Sequence, residues 1–363
     1  MKFSATALAL AAFVGLPLAL AAEITNADVS SALVIKDKYI VTYKKDCDPA
    51  KKKKHQEEVN KKAKKYNKQG VIYSIDLGNT GYVAEIDPRD IDTLTKSDLV
   101  DYIEKDTVAK HTSIIPAHDA GEFEAPALQK RAYTTQSQST WGLGRISHRL
   151  QGFAEYYYDT TAGTGVRVYV LDTGIYTAHQ EFGGRAVWGR NFIAGSPNTD
   201  QHGHGTHVAG TIAGTRYGVA KRATVVAVKI LDKNGSGSMS GIVAGLNWVV
   251  ADAKSRGIVR KTVVNLSVGG TYTASVNAAV LAATNAGVTV VVAAGNENDN
   301  AGNYSPSSAS SAITVAAVEG SDYRAWFSNY GSVVDIFAPG VAVLSAGIKS
   351  TSAYRYLSGT SMG

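Results

Sequence analysis

A chain of 363 residues, 44% hydrophobic and 19% charged, has the composition of a globular protein, which excludes a disordered or fibrous chain and leaves room for two folded units plus a targeting segment. Most of the net charge of +6 arises downstream of Arg131, where 17 basic residues outnumber 12 acidic ones; these are scattered and carry no recognition motif, which argues against nucleic-acid binding. A single cysteine, Cys47, excludes an intrachain disulfide framework and leaves stability to packing or bound ions.

The chain opens with Met1 and Lys2, followed by an apolar run over 5–22 that contains Ala19-Leu20-Ala21. A positive start, a hydrophobic run and a small-x-small end predict a secretory signal peptide over 1–21, hence an extracellular protein. No other run is long and apolar enough to span a bilayer, so no membrane partner is expected. Next, 39–43 alternates like a half-buried strand, the Lys-rich stretch 51–68 reads as a solvated helix, and 71–75 and 82–86 read as strands joined by turn chemistry at 78–81. With a short helix over 88–99, these elements predict a small α+β unit within 22–131. From 111 to 138 periodicity lapses around the dibasic pair Lys130-Arg131. That stretch reads as an exposed linker cleaved after Arg131, leaving 132–363 as a second unit.

Beyond Trp141, β-branched runs at 166–171, 224–230, 261–268 and 289–294 suit buried parallel strands, and helical stretches at 204–214, 240–255 and 274–286 follow or separate them. This order predicts an α/β, doubly wound, mostly parallel sheet with right-handed crossovers, its ligands gathered at the carboxyl ends of the strands. Gly163-Thr164-Gly165 adjoins a strand but precedes it, whereas phosphate-cradling glycines follow one, so a dinucleotide site is excluded.

Three segments would present reactive side chains on such a sheet. Val168-Tyr169-Val170-Leu171-Asp172-Thr173-Gly174 is an apolar strand ending in a carboxylate; Gly203-His204-Gly205-Thr206-His207 places a histidine at a helix start; Ser358-Gly359-Thr360-Ser361-Met362 is a glycine turn leading to a serine. Singly, each fits a cap or a turn. His202, His204 and His207 lack the Glu of a hydrolytic zinc helix. Together, Asp172, His204 and Ser361 supply what acyl transfer by serine requires, a nucleophile, a base to take its proton and a carboxylate to orient that base.

With Trp141-Gly142-Leu143, Asn265-Leu266-Ser267-Val268-Gly269-Gly270 and Ala293-Ala294-Gly295-Asn296 in the same order, the chain resembles the subtilisin family of serine peptidases, and within it the fungal proteinase K group. The resemblance implies a secreted, monomeric endopeptidase of broad specificity acting on proteins or peptides, made as a zymogen whose upstream unit is a propeptide serving as intramolecular inhibitor. It implies that Ser361 is the nucleophile, His204 the general base and then acid, Asp172 the orienting carboxylate, and Asn296 the oxyanion donor beside the Ser361 N–H. Substrate would lie as an added strand between Gly235-Ser236-Gly237 and Ser267-Val268-Gly269, with Gly269, Ala293 and Gly295 forming an open pocket. Structural calcium would be held by Asp335 with the carbonyls of Ser310 and Ala312, hard oxygens of the kind calcium takes.

Two departures from that family stand out. Val208 occupies a position where the proteinase K group often has cysteine, so its disulfides are absent. The family also continues past the nucleophile into a long buried helix, whereas Met362 and Gly363 close this sequence. The expectation is a C-terminally truncated peptidase domain with apolar sheet surface uncovered. A rival reading follows, an inactive chain whose upstream unit inhibits other peptidases. Three glycosylation tripeptides start at Asn234, Asn265 and Asn303, of which Asn265 is expected to be buried.

Overall fold

The computed structural model describes residues 21–78, 80–113, 123–124 and 134–363. The expected signal peptide and the Lys130-Arg131 pair lie outside the described residues.

The upstream unit contains β1 (Glu23–Ile24), β2 (Val34–Tyr43), α1 (Pro49–Lys65), β3 (Gly70–Ile75), β4 (Gly81–Glu85), α2 (Pro88–Thr95) and β5 (Val100–His111). Its strands pair antiparallel in the order β5-β2-β4-β3, with β1 parallel to part of β5. Pro49 opens α1, where the Asp48 carboxylate accepts the Ala50 and Lys51 N–H groups and three lysines occupy the last turn, satisfying both helix ends. Period-two alternation buries both faces of the sheet. Tyr39, Val41, Tyr43, Tyr82 and Ala84 pack with Val59 and Ala63 of α1 and Ile91 and Leu94 of α2, while Ile40, Ile75, Val83 and Ala109 point the other way into the core of the downstream unit.

β6 (Phe123–Glu124) falls within the expected linker, and the downstream unit begins with β7 (Thr134–Ser137), α3 (Trp141–Ser147) and β8 (Glu155–Tyr158). β7 pairs antiparallel with β8, so the end of the expected linker is strand, its polar sequence matching a small two-stranded sheet. Then come β9 (Arg167–Asp172), β10 (Ala186–Asn191), α4 (His204–Ala213), β11 (Thr224–Lys229), β12 (Ser236–Ser238), α5 (Met239–Ser255) and β13 (Thr262–Leu266). β14 (Val268–Thr271), α6 (Ala274–Asn285), β15 (Thr289–Ala293), β16 (Tyr304–Ser305), β17 (Ile313–Val318), β18 (Ile336–Pro339), β19 (Val343–Ala346) and β20 (Ala353–Leu357) complete it.

Seven strands form the central sheet in the order β10-β11-β9-β13-β15-β17-β18, and every pair is parallel. Tyr169 and Leu171 of β9 face α5 and α6 in one core, and Val168 and Val170 face Val208, Ala209 and Ala213 of α4 in the other. Burial on both faces is why these strands read as continuous apolar runs. On the α4 side an apolar groove of about 430 Å³ is lined by Val166, Ile212, Val263, Val291, Pro339 and Met362. Among the described residues, no helix is long and apolar enough to cross a membrane.

Candidate active site

β9 ends on Asp172 and α4 begins on His204, with Gly203 at φ 95° as the N-cap. A Cβ on Gly205 would overlap the Gly174 carbonyl oxygen and press on Asp172, so glycine is what lets the helix approach the strand end. His204 Nδ1 lies 2.7 and 2.8 Å from the two Asp172 oxygens, and both side chains are fully buried. A carboxylate can only accept here, so Nδ1 carries the proton and Nε2 is left as the base. Burial pushes the Asp172 carboxyl up, but the His204 charge and hydrogen bond, with the Thr173 N–H, outweigh it and hold the group below its ordinary value.

Asp200 is a supporting residue that the sequence reading missed. Its Oδ1 accepts from Thr173 Oγ1 and from the His202 and Gly203 N–H groups, and its Oδ2 from the Thr206 N–H and hydroxyl. Thr173 Oγ1 in turn accepts the Gly205 N–H. One buried carboxylate thus ties the end of β9 to the start of α4. The available signal was an Asp four residues before His204, a position suited to capping the turn. His207 Nε2 is committed to the Val343 carbonyl at 2.9 Å.

Ser361 lies in a short turn after β20, buried beside Asn296, which follows β15 and Gly295. Asn296 Oδ1 accepts the Thr360 N–H at 2.9 Å and the Thr360 hydroxyl at 3.1 Å. Because the carbonyl end of that amide is occupied by donors, its NH₂ is the end left to serve an oxyanion. The Ser361 N–H donates to the Thr112 carbonyl at 3.2 Å. Ser361 Oγ lies 2.5 Å from both the carbonyl oxygen and Oγ1 of Thr112, and 3.1 Å from the Ser267 carbonyl. His204 Nε2 has no hydrogen-bond partner among the described residues. The structure therefore brings Asp172 and His204 into contact and leaves the Ser361–His204 link open, with Thr112 bonded to the serine.

Thr112 arrives there on β5, which runs antiparallel between β12 and β14. Ser236 and Gly237 pair with Lys110 and Ala109, and Val268 and Gly269 with His111 and Lys110. The Gly235 carbonyl accepts the His111 N–H at 3.2 Å, and the Ser267 carbonyl accepts the Thr112 N–H at 3.1 Å. The two segments expected to flank a substrate thus flank the upstream unit's last strand, in the manner of β-strand addition. Ala293 is buried at the end of β15, Gly295 donates its N–H to Thr360 Oγ1 at 3.1 Å, and the Thr112 methyl lies against Gly269.

Docking is reinforced by two buried carboxylates of β5. Glu104 accepts the Ala274 and Ser275 N–H groups, capping α6, whose own N-cap Thr273 turns its hydroxyl to the Thr271 carbonyl and makes no side-chain capping bond. Asp106 accepts the Ser240 N–H and hydroxyl at the start of α5 and pairs with Lys38 at 3.0 Å. Negative charge at helix N-termini is favourable. The His111 ring packs 4.6 Å from His202 and 4.8 Å from His204. A Cβ on Gly235, at φ 70°, would collide with that ring.

Asp335 lies just before β18, exposed, with Oδ2 accepting the Thr314 N–H at 2.7 Å. Its Oδ1 has no hydrogen bond among the described residues, and Ser310 and Ala312 lie just before β17. Among the described residues no group of three His, Cys, Asp or Glu side chains is arranged to hold a metal.

Residues 163–363 match the model of the subtilase family, and 38–112 match that of the peptidase inhibitor I9 family. The chain belongs to the subtilase family. Among its relatives, subtilisin-like protease 2 of Pseudogymnoascus destructans is 48% identical over all of this chain and 86% of its own length. Subtilisin-like protease 4 of Arthroderma benhamiae is 44% identical over 91% of this chain and 79% of its own. The crystal structure of a cold adapted subtilisin-like serine proteinase superposes with a TM-score of 0.59 at 43% identity, covering 62% of this chain and 81% of that one. As a subtilase, the protein is a serine endopeptidase, and β5 belongs to its inhibitor-type propeptide.

Proposed function

We propose that this subtilase is an exported zymogen that hydrolyses peptide bonds through an acyl-enzyme, with Ser361 as nucleophile, His204 as base and Asp172 orienting it, and that its first substrate is its own Thr112–Ser113 bond. The observation that carries this reading is the Thr112 carbonyl hydrogen-bonded to the Ser361 N–H at the end of a strand held on both edges. Rotation about the Ser361 Cα–Cβ bond turns Oγ from the carbonyl oxygen to the carbonyl carbon. Oγ then attacks while His204 Nε2 takes its proton, and the developing oxyanion is met by the Ser361 N–H and the Asn296 amide. The bond to the Ser113 nitrogen breaks as His204 returns the proton to that amine, and water then releases Thr112 from the serine.

Cleavage after Arg131 is then a separate trimming step that removes the stretch following Thr112. Broad specificity follows from recognition through main-chain pairing, since the Lys110 side chain in the bound strand is exposed. Calcium would be held by Asp335 with the Ser310 and Ala312 carbonyls, tying the start of β17 to the start of β18. The test is expression of the full chain beside Ser361→Ala. The active chain yields a fragment ending at Thr112 and a product that digests casein, and Ser361→Ala yields neither. A fragment ending at Thr112 from the Ala variant would refute self-cleavage, and failure of a serine-directed phosphonate to label the wild type would refute the nucleophile.

A further inference from the structure

Three Asn-x-Ser tripeptides occur in the described chain, and the fold treats them differently. Asn265 sits in β13, between β9 and β15, with its amide nitrogen bonded to Ser267 Oγ at 2.9 Å. Asn303 is exposed on the turn before β16, where its amide nitrogen reaches Asp299 at 3.1 Å. Asn234 is exposed at the tip of the turn that leads into β12. The Asp232 carboxylate fixes that turn by accepting the Asn234 and Ser236 N–H groups at 2.8 and 3.0 Å. The Asn234 side chain itself makes no hydrogen bond among the described residues. The residue after it, Gly235, holds the His111 N–H of the bound strand, and the exposed Lys110 pairs with Ser236.

We propose that Asn234 carries an N-linked glycan that overhangs the rim of the substrate cleft. The reaction joins the Asn234 amide nitrogen to C1 of the first sugar of a polyprenyl-diphosphate-linked oligosaccharide. The C1–O bond to the diphosphate breaks, the polyprenyl diphosphate leaves with the electron pair, and the amide proton is released. The acceptor must sit in an irregular, polar turn that can be reached, as Asn234 does, whereas Asn265, half-buried rather than buried, is held in a strand of the central sheet. Attached beside the wall that pairs with residues 108–110, the glycan leaves room for one extended chain and crowds a wide folded one. This filters substrates by thickness rather than by sequence. The proposal rests on export of the chain through a glycosylating compartment, and Asn303 serves as the internal control for that premise.

The full chain is produced in a eukaryotic secretory host, deglycosylated enzymatically in heavy-oxygen water and mapped by peptide mass. The expected result is heavy aspartate at Asn234 and Asn303 and none at Asn265. A secreted chain marked at Asn303 but not at Asn234 overturns this proposal alone; a chain that never reaches the medium and is marked nowhere overturns it together with the export reading. In the second arm, Asn234→Gln leaves hydrolysis of a short chromogenic peptide unchanged and speeds cleavage of a native folded protein relative to wild type. An unchanged ratio of the two rates overturns the screening role.

Discussion

His111 makes the hold of the propeptide on the enzyme dependent on pH. Its ring is wedged between His202 and His204, and burial, then the charges of His204 and His202, push it down from 6.5 to about 3, with Lys110 adding to the fall and Asp172 opposing it. A group whose bound value lies below its free value favours the complex while neutral. The stabilisation is therefore complete above the free value and is lost as pH falls from 6.5 towards 3. Each unit below 6.5 costs the complex up to about 1.4 kcal/mol, so inhibition weakens about tenfold between pH 7.5 and 5.5. Glu104 on the same strand, pushed up by burial, opposes it. The assay is the inhibition constant of the upstream fragment, added to propeptide-free enzyme, measured across that range for wild type and His111→Phe. The Phe ring fills the same slot without titrating, so the difference between the two profiles isolates His111. Equal slopes for the two fragments, or tighter wild-type inhibition at pH 5.5, would refute the reasoning.

Asp172→Asn keeps the shape of the site but presents an amide to His204 Nδ1, and kcat on a peptide substrate is expected to fall about 10⁴-fold with KM little changed. Thr360→Val removes one of the two donors that orient Asn296; loss of about 1 kcal/mol lowers kcat roughly fivefold, while Asn296→Ala costs 10²- to 10³-fold, to within order of magnitude (~). Glu104→Gln weakens the caps on α6, and at about 1.5 to 3 kcal/mol for hydrogen bonds to a charged group the fragment's inhibition constant rises by roughly ten- to a hundredfold, with catalysis by the free enzyme untouched. A calcium chelator lowers the thermal midpoint of the wild type and not that of Asp335→Ala; an equal drop in both places the ion elsewhere.

The central sheet was legible because its strands are buried on both faces and connect through helices, so apolar runs and helical periods alternate along the chain. Asp172 and His204 were legible because each sits where such an element ends. β5 was not. Its sequence interleaves Asp101, Glu104, Lys105, Asp106 and Lys110 with apolar residues, and a strand carrying buried carboxylates reads as solvated until the helices those carboxylates cap are known. Asp200 offered a local capping signal, but its tie to the end of β9 through Thr173 is made only by folding. At the other extreme, the dibasic pair was conspicuous in sequence, yet the carbonyl that accepts the Ser361 N–H, that of Thr112, lies well upstream of it.

In the proposed self-cleavage, what selects the bond is register. Glu104 is fixed by the start of α6, and Thr112 stands eight residues further along the same extended strand, roughly 26 Å at strand rise. A slip of one residue in β5 would rotate Glu104 and Asp106 away from the helix starts, because side chains alternate across a strand. A slip of two would keep the faces but move the carboxylates off their caps. The same contacts that hold the propeptide in place therefore also set which carbonyl reaches the Ser361 N–H. On the proposed self-cleavage, inhibition and choice of the first bond cut become two consequences of one docked strand, and the residues that would decide the second, Glu104 and Asp106, lie far from the chemistry they align.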